Sequence, residues 1–296
     1  MDVMASSTEA TWPLDAYLDR IGYRGPREPT LSALQDICRA HAESVPFETL
    51  DAPEGVVPSL DQESVFTKVV PRRGGGACLE VNALLAAALR RIGFAVDTVL
   101  GEAWRVLERR YTGLLDHMVL LVRLDGTTWV VDVGFATLTP VLPVPLDSQP
   151  WRERGWWFRM RPTDDLIVAE RAGTDGVWRP LYRFRDDPQP AEAFEDIRDH
   201  YLRRSTRMSR TLMCARWSAG RRLTLINDRL VTADRGVESV MPVGDEAQAA
   251  AVLAEIFRDH EHLVVRALRV WRRLFPDQMD PIGPTPAVSS NEERNQ

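Results

Sequence analysis

The stretch His117-Met118-Val119-Leu120-Leu121-Val122-Arg123-Leu124-Asp125-Gly126-Thr127-Thr128-Trp129-Val130-Val131-Asp132-Val133-Gly134-Phe135 reads as two strands joined by a tight turn. An Asp-Gly pair between apolar, β-branched runs is a strong signal for a two-residue hairpin loop, because both turn positions take positive φ. With Asp125-Gly126 as the turn, Leu124 pairs with Thr127 and Asp132 falls opposite Val119. His117 then lies diagonally from Asp132 on the same sheet face, about 7–8 Å away at the backbone and within side-chain reach. An aspartate in that position can fix a histidine tautomer and steady the charged imidazolium. A satisfied core His–Asp pair is the competing structural reading.

Upstream of the hairpin the apolar period becomes helical. Leu14, Tyr17, Leu18 and Ile21 share one face, as do Leu31, Leu34, Ile37, Ala40 and His41, and Val65 to Val70 forms a short helix before Pro71. Gly74-Gly75-Gly76 then leads into an apolar helix from Cys78 to Arg91, stopped by Gly93. Cys78 thus stands between a glycine-rich loop and a helix N-terminus. The helix dipole and the free N–H groups there stabilise a thiolate, and backbone amides near Cys78 can serve a developing oxyanion. An inert packing cysteine is the alternative from local sequence alone.

Downstream, Val96 to Trp104 is extended, and short Trp- and Pro-rich strands continue to about Phe184. Ala191 to Arg204 reads as helix. Strands follow at Thr211 to Trp217, Arg221 to Ile226 and Leu230 to Thr232, and a helix from Glu246 to His260 is the last clear element. The polar stretch from Gly283 to Gln296 reads as a disordered tail.

Whole-chain properties exclude several classes. Over 296 residues, apolar types make up 44% and charged types 27%, ordinary for a soluble globular enzyme. A net charge of −6 supplies no basic excess for binding phosphate backbones, so no nucleic-acid partner is expected. Arginines at 152, 154 and 159 and at 203, 204, 207 and 210 read as solvated faces. No run reaches the ~20 apolar residues of a membrane span, and Met1 to Pro13 lacks a signal-peptide pattern. Three cysteines, Cys38, Cys78 and Cys214, without CxxC spacing suggest reduced thiols in the cytoplasm rather than disulfides or a zinc site. Cys38 and Cys214 read as packing residues, His41 as core or boundary, and His200, His260 and His262 as surface.

The run Arg72-Arg73-Gly74-Gly75-Gly76-Ala77-Cys78-Leu79-Glu80-Val81-Asn82 resembles the Arg–Gly–Gly–aromatic–Cys–x–Glu–x–Asn motif of the arylamine N-acetyltransferase family. His117 to Val122, Val131 to Phe135, Leu14 to Tyr23 and Val45 to Asp51 are similar to that family's other ordered motifs. The resemblance is clear over residues 14 to 136. It implies an α+β fold: an N-terminal helical domain (1–93) carrying the nucleophile, a central β-barrel domain (94–204) carrying the histidine and aspartate, and a C-terminal α/β lid (205–282), with a tail at 283–296. It further implies a cysteine-protease-like Cys-His-Asp triad of Cys78 as acylated nucleophile, His117 as base and Asp132 as orienting acid. Substrate contacts are implied at Gly75, Gly76, Phe47, Thr112, Gly113 and Phe135.

No metal or tightly bound cofactor is implied; the acyl donor is a thioester, of coenzyme A or of a carrier protein. The expected acceptor is a small aromatic amine, and no membrane partner is expected. Two departures bear on the substrate: Ala77 replaces the family's aromatic residue and Gly74 its arginine. Small residues at Gly74, Gly76 and Ala77 are expected to widen the cleft. Acetylation of an arylamine or hydrazine therefore stands beside the reaction of the ansamycin-type amide synthases, which close a carrier-bound polyketide onto its own aryl amine. A non-enzymatic binding protein and a cysteine peptidase are the remaining classes.

Overall fold

Apolar side chains three and four residues apart build helices α1 (Leu14–Ile21), α2 (Leu31–Ser44), α3 (Gln62–Val69) and α4 (Cys78–Ile92). The computed structural model describes residues 11–146, 149–195, 208–258 and 260–276. Thr30 starts α2 by accepting the Ala33 N–H, and Asp61 starts α3 by accepting the Ser64 N–H. Such caps each stabilise by ~1 kcal/mol. Between α2 and α3 the chain extends for two residues as β1 (Phe47–Glu48).

The hairpin forms with the register read from sequence. Strands β4 (His117–Leu124) and β5 (Thr127–Val131) pair Leu124 with Thr127 and Leu120 with Val131, and Asp125 and Gly126 take φ of 50° and 77°. The hairpin sits inside a larger antiparallel sheet with β2 (Ala95–Arg105), β3 (Arg110–Tyr111), β6 (Val144–Pro145), β7 (Trp151–Glu153), β8 (Trp156–Pro162), β9 (Ile167–Ala172) and β10 (Trp178–Phe184). Its order is β6-β5-β4-β2-β10-β9-β8-β7, with β3 hung on β2, and it curls into a nearly closed, barrel-like surface. The fold is α+β.

Strand β4 is buried on both faces because its side chains alternate between two cores. Met118, Leu120 and Val122 pack with the helices, against Leu85 and Leu89 of α4. Val119 and Leu121 point into the barrel among Phe135, Phe158 and Tyr182. This two-sided burial fixes α4 over the hairpin, which brings the start of α4 to the start of β4.

A second antiparallel sheet runs β1-β11-β12-β13-β14, using β11 (Met213–Ser218), β12 (Arg221–Ile226), β13 (Arg229–Asp234) and β14 (Val237–Pro242). Phe47 and Glu48 pair with Ala215 and Cys214, so the segment before α3 becomes an edge of this late sheet. Helices α5 (Glu246–Phe257) and α6 (Glu261–Leu274) close a third core with it, around Leu225, Leu253, Phe257 and Trp271.

Several sequence expectations are corrected or lie outside the described residues. The last described element is α6, not the helix ending near His260, and β14 was not foreseen. His260 is not at the surface: it is 2% exposed and its Nε2 lies 3.2 Å from Arg20 Nη2, whereas His262 is exposed. The helix expected at Ala191 to Arg204 is seen only for residues 191–195, and its remainder, His200, the arginines at 203, 204 and 207, and the tail at 283–296 lie outside the described residues. Among the described residues, no helix is long and apolar enough to cross a membrane.

Candidate active site

Cys78 is the first residue of α4, where the first-turn amides have no partner in the preceding turn. Just before it, the Ala77 N–H donates to Glu80 Oε2 at 2.8 Å. The half-buried thiol touches the backbone oxygen of Asp116 at 3.6 Å and acts electrostatically on the His117 side chain. His117, 2% exposed, sends its Nε2 to Asp132 Oδ2 at 2.8 Å, which leaves Nδ1 as the nitrogen available to sulfur. Burial works to lower the imidazole pKa, but Asp132 and then Cys78 outweigh it and raise it to about 10. The rings of Phe135 and Tyr182 close around this imidazole at centroid distances of 5.1 and 5.0 Å.

Asp132 is held from three sides. Its Oδ1 accepts from Asn82 Nδ2 at 2.9 Å and from the Gly134 N–H at 2.9 Å, while Oδ2 takes the imidazole. Gly134 must be glycine for a steric reason: a Cβ there would stand 2.8 Å from Cys78 Cα and 2.9 Å from Asn82 Nδ2. The strand end and the helix start could not then approach as they do. On the other side Arg222 of β12 donates to the Phe135 oxygen at 2.8 Å, and Thr224 to the Ala136 oxygen at 2.9 Å. A thiol, an imidazole and a carboxylate in this order can lend, hold and return one proton.

The sequence profile of the N-acetyltransferase family matches residues 30–260. The chain belongs to the arylamine N-acetyltransferase family. It is 38% identical over 183 residues to an arylamine N-acetyltransferase of Mycolicibacterium smegmatis, a match spanning 60% of this chain and 66% of that enzyme. It is also 27% identical to a proansamycin X synthase of Amycolatopsis mediterranei, over 83% of this chain and 98% of that one. The Mycobacterium marinum arylamine N-acetyltransferase, solved in complex with CoA, superposes with a TM-score of 0.78 at 27% identity, covering 88% of this chain and 99% of that one.

Cys78 borders an open cleft. Phe47, Thr112 and Phe135 line it, together with Ala77, Leu79, Trp104, Leu107 and Ile226. Gly75, Gly76 and Gly113, also singled out in the sequence, do not. Gly75 packs on the Pro46 oxygen, Gly76 bridges to Phe47, and Gly113 N–H donates to Glu102 Oε1 at 2.7 Å. Of the three small residues expected to widen the cleft, only Ala77 borders it. Gly74 is instead filled from behind, since a Cβ there would lie 2.7 Å from the Lys68 oxygen.

Lys68 itself went unread in the sequence. Its ammonium reaches Asp51 at 2.7 Å, Glu80 at 2.9 Å and Glu48 at 3.2 Å, directly beneath the loop leading to Cys78. Burial opposes its charge, but the three carboxylates outweigh burial and raise its pKa; burial, reinforced by Glu48, raises that of Glu80. Arg266 of α6 adds a second cation through Asp51 and Glu54. Asn82, Arg222, Tyr182 and Asp116 were likewise given no role; only Asn82 carried a signal, by its place four residues after Cys78. The arginines at 152, 154 and 159 lie over Trp157, Trp217 and Trp178, so the solvated face expected there is a set of stacked cations.

Proposed function

We propose that this chain is a cysteine acyltransferase working through a Cys78–His117–Asp132 triad, taking an acyl group from acetyl-CoA or a related thioester and passing it to an aromatic amine. The observation that carries the reading is the His117 imidazole, bonded to Asp132 at 2.8 Å and bordering the same cleft as Cys78.

In the first half-reaction the one proton shared by Cys78 and His117 rests on the imidazole, and the Cys78 sulfur attacks the thioester carbonyl. The N–H groups at the start of α4 can stabilise the negative charge that develops on the oxygen. The C–S bond to the donor breaks and the leaving thiol takes the proton from His117. In the second, the amine nitrogen attacks acyl-Cys78, its proton passes to His117 and then to the Cys78 sulfur, and the amide leaves. Asp132 keeps the imidazole oriented throughout. The chemistry needs a reduced thiol, which fits the cytoplasmic setting expected from the cysteines.

A second reading is favoured by one specific pair of observations. The match to the proansamycin X synthase runs over nearly the whole of that protein, and Ala77, bordering the cleft in place of an aromatic ring, leaves room beside the sulfur. On that reading the donor is a carrier-bound polyketide and the acceptor is its own aryl amine, giving a macrolactam.

The test is formation of amide from acetyl-CoA and an arylamine, followed by chromatography, with Cys78→Ser alongside wild type. Loss of turnover in a variant of unchanged circular dichroism supports the mechanism. Turnover retained by Cys78→Ser overturns it.

A further inference from the structure

The cleft is bordered by two carboxylates besides the Asp132 behind it. Glu108 is neutralised by Arg105 at 3.2 Å and Arg110 at 3.4 Å. Asp116, on the link between β3 and β4 immediately before His117, differs. Its Oδ1 accepts from Thr112 Oγ1 at 3.0 Å and from the Ala103 N–H at 3.3 Å, so the carboxylate has a fixed orientation. Its Oδ2 receives no hydrogen bond from any described residue and is not sealed from solvent, and no cation lies within ion-pair distance of it among the described residues. The same residue's backbone oxygen is the one touched by the Cys78 sulfur. A carboxylate oxygen without a donor therefore belongs to a half-buried residue that borders the cleft, stands one position before the imidazole and touches the reacting thiol through its backbone oxygen. Such an oxygen strongly favours a ligand that brings an N–H or O–H to it and disfavours one that cannot.

The Cys78 mechanism leaves such a donor unaccounted for. A primary aryl amine or hydrazine carries two N–H bonds on the attacking nitrogen. One must be surrendered to His117 as the N–C bond forms and the C–S bond breaks. The other has no assigned partner. We propose that Asp116 is a specificity-determining residue of the acceptor half-reaction, its Oδ2 accepting the second N–H of the amine and turning the nitrogen lone pair toward acyl-Cys78. Asp116 takes no proton: the proton of the first N–H goes to His117 and on to the Cys78 sulfur. The inference rests on the acyl-cysteine reading above and names what that site selects, a primary amine nitrogen over a nucleophile without a second hydrogen.

The test separates acceptor binding from the chemistry of the thiol. Wild type and Asp116→Asn are acetylated with p-nitrophenyl acetate, and decay of the acyl-enzyme is followed by intact mass with aniline or with dithiothreitol as acceptor. Asparagine keeps an oxygen for Thr112 and Ala103 and turns an NH2 toward the cleft, so the link keeps its anchor while the open acceptor is lost. The expected result is a fall of about 10- to 100-fold in the ratio of aniline-driven to dithiothreitol-driven decay, the size expected for a hydrogen bond to a charged group. A ratio equal to that of wild type overturns the assignment, whether both rates fall together or neither moves. Failure of wild-type Cys78 to take the acetyl group at all overturns the acyl-cysteine reading and this inference with it.

Discussion

Asn82 Nδ2 and Asp132 Oδ1 lie 2.9 Å apart, and this bond registers the helix carrying the thiol against the hairpin carrying the imidazole. Cys78 and Asn82 are four residues apart on α4 and so share one face. The same amide donates to the Met118 oxygen at 2.8 Å and accepts the Val133 N–H at 3.0 Å, so both of its ends are used. Asn82→Ala leaves those buried groups short of partners. It should cost about 1–3 kcal/mol in denaturant unfolding and lower acyl transfer as well. Wild-type stability and turnover in that variant would show that the bond does not set the register.

Lys68 is the counter-charge to Glu48, Asp51 and Glu80 beneath the loop before Cys78. Removing one partner of a buried ion network leaves the others uncompensated. Lys68→Met should therefore destabilise the protein by about 3–5 kcal/mol, read from urea midpoints, while Lys68→Arg should recover much of the loss. Equal midpoints for wild type and Lys68→Met would remove the ammonium from this role.

The pH dependence of stability has a defined sign. The imidazole of His117 is raised from 6.5 to about 10 by Asp132 and Cys78 against the effect of burial. The folded state thus holds a proton that the unfolded chain releases near its ordinary value. The stabilisation is complete below about pH 6.5 and is lost as pH rises toward 10. Thermal melts across that window should fall with pH in wild type and flatten in Asp132→Asn, where the largest favourable partner is gone. An identical slope in both proteins would contradict the assignment.

The three thiols should separate by reactivity. Burial pushes the Cys38 and Cys214 thiols up, with Glu153 and Glu48 adding to it, and both side chains are closed to solvent. Cys78 borders the cleft beside His117. Iodoacetamide near pH 7 should label Cys78 first by a wide margin, as peptide mapping would show; comparable labelling of Cys38 would argue against an activated site.

How much of this was legible in the sequence depends on how local the cause is. The β4–β5 register could be read because turn chemistry at Asp125-Gly126 fixes it within a few residues, and the start of α4 because the glycine run ends there. The α6 helix was legible: Leu263, Ala267, Val270 and Trp271 recur at helical spacing, with Leu268 and Leu274 beside them and the arginines on the other face, and the sequence reading stopped short of it. The β14 strand was missed because it lies at a sheet edge, largely exposed, and shows no alternation. The burial of His260 depends on Arg20, and the role of Lys68 on carboxylates from β1 and α4. Such partners meet only after the chain has folded, and no spacing announces them. Asp116 was passed over for a different reason: it reads as a loop aspartate until Thr112 and Ala103 are seen to hold one oxygen and leave the other open.

The central claim is a covalent acyl group on Cys78, and intact-protein mass spectrometry after incubation with acetyl-CoA and no amine tests it most directly. The account predicts a gain of about 42 Da on wild type, mapped to Cys78 and absent from Cys78→Ser. An adduct of that mass that persists in Cys78→Ser would contradict it.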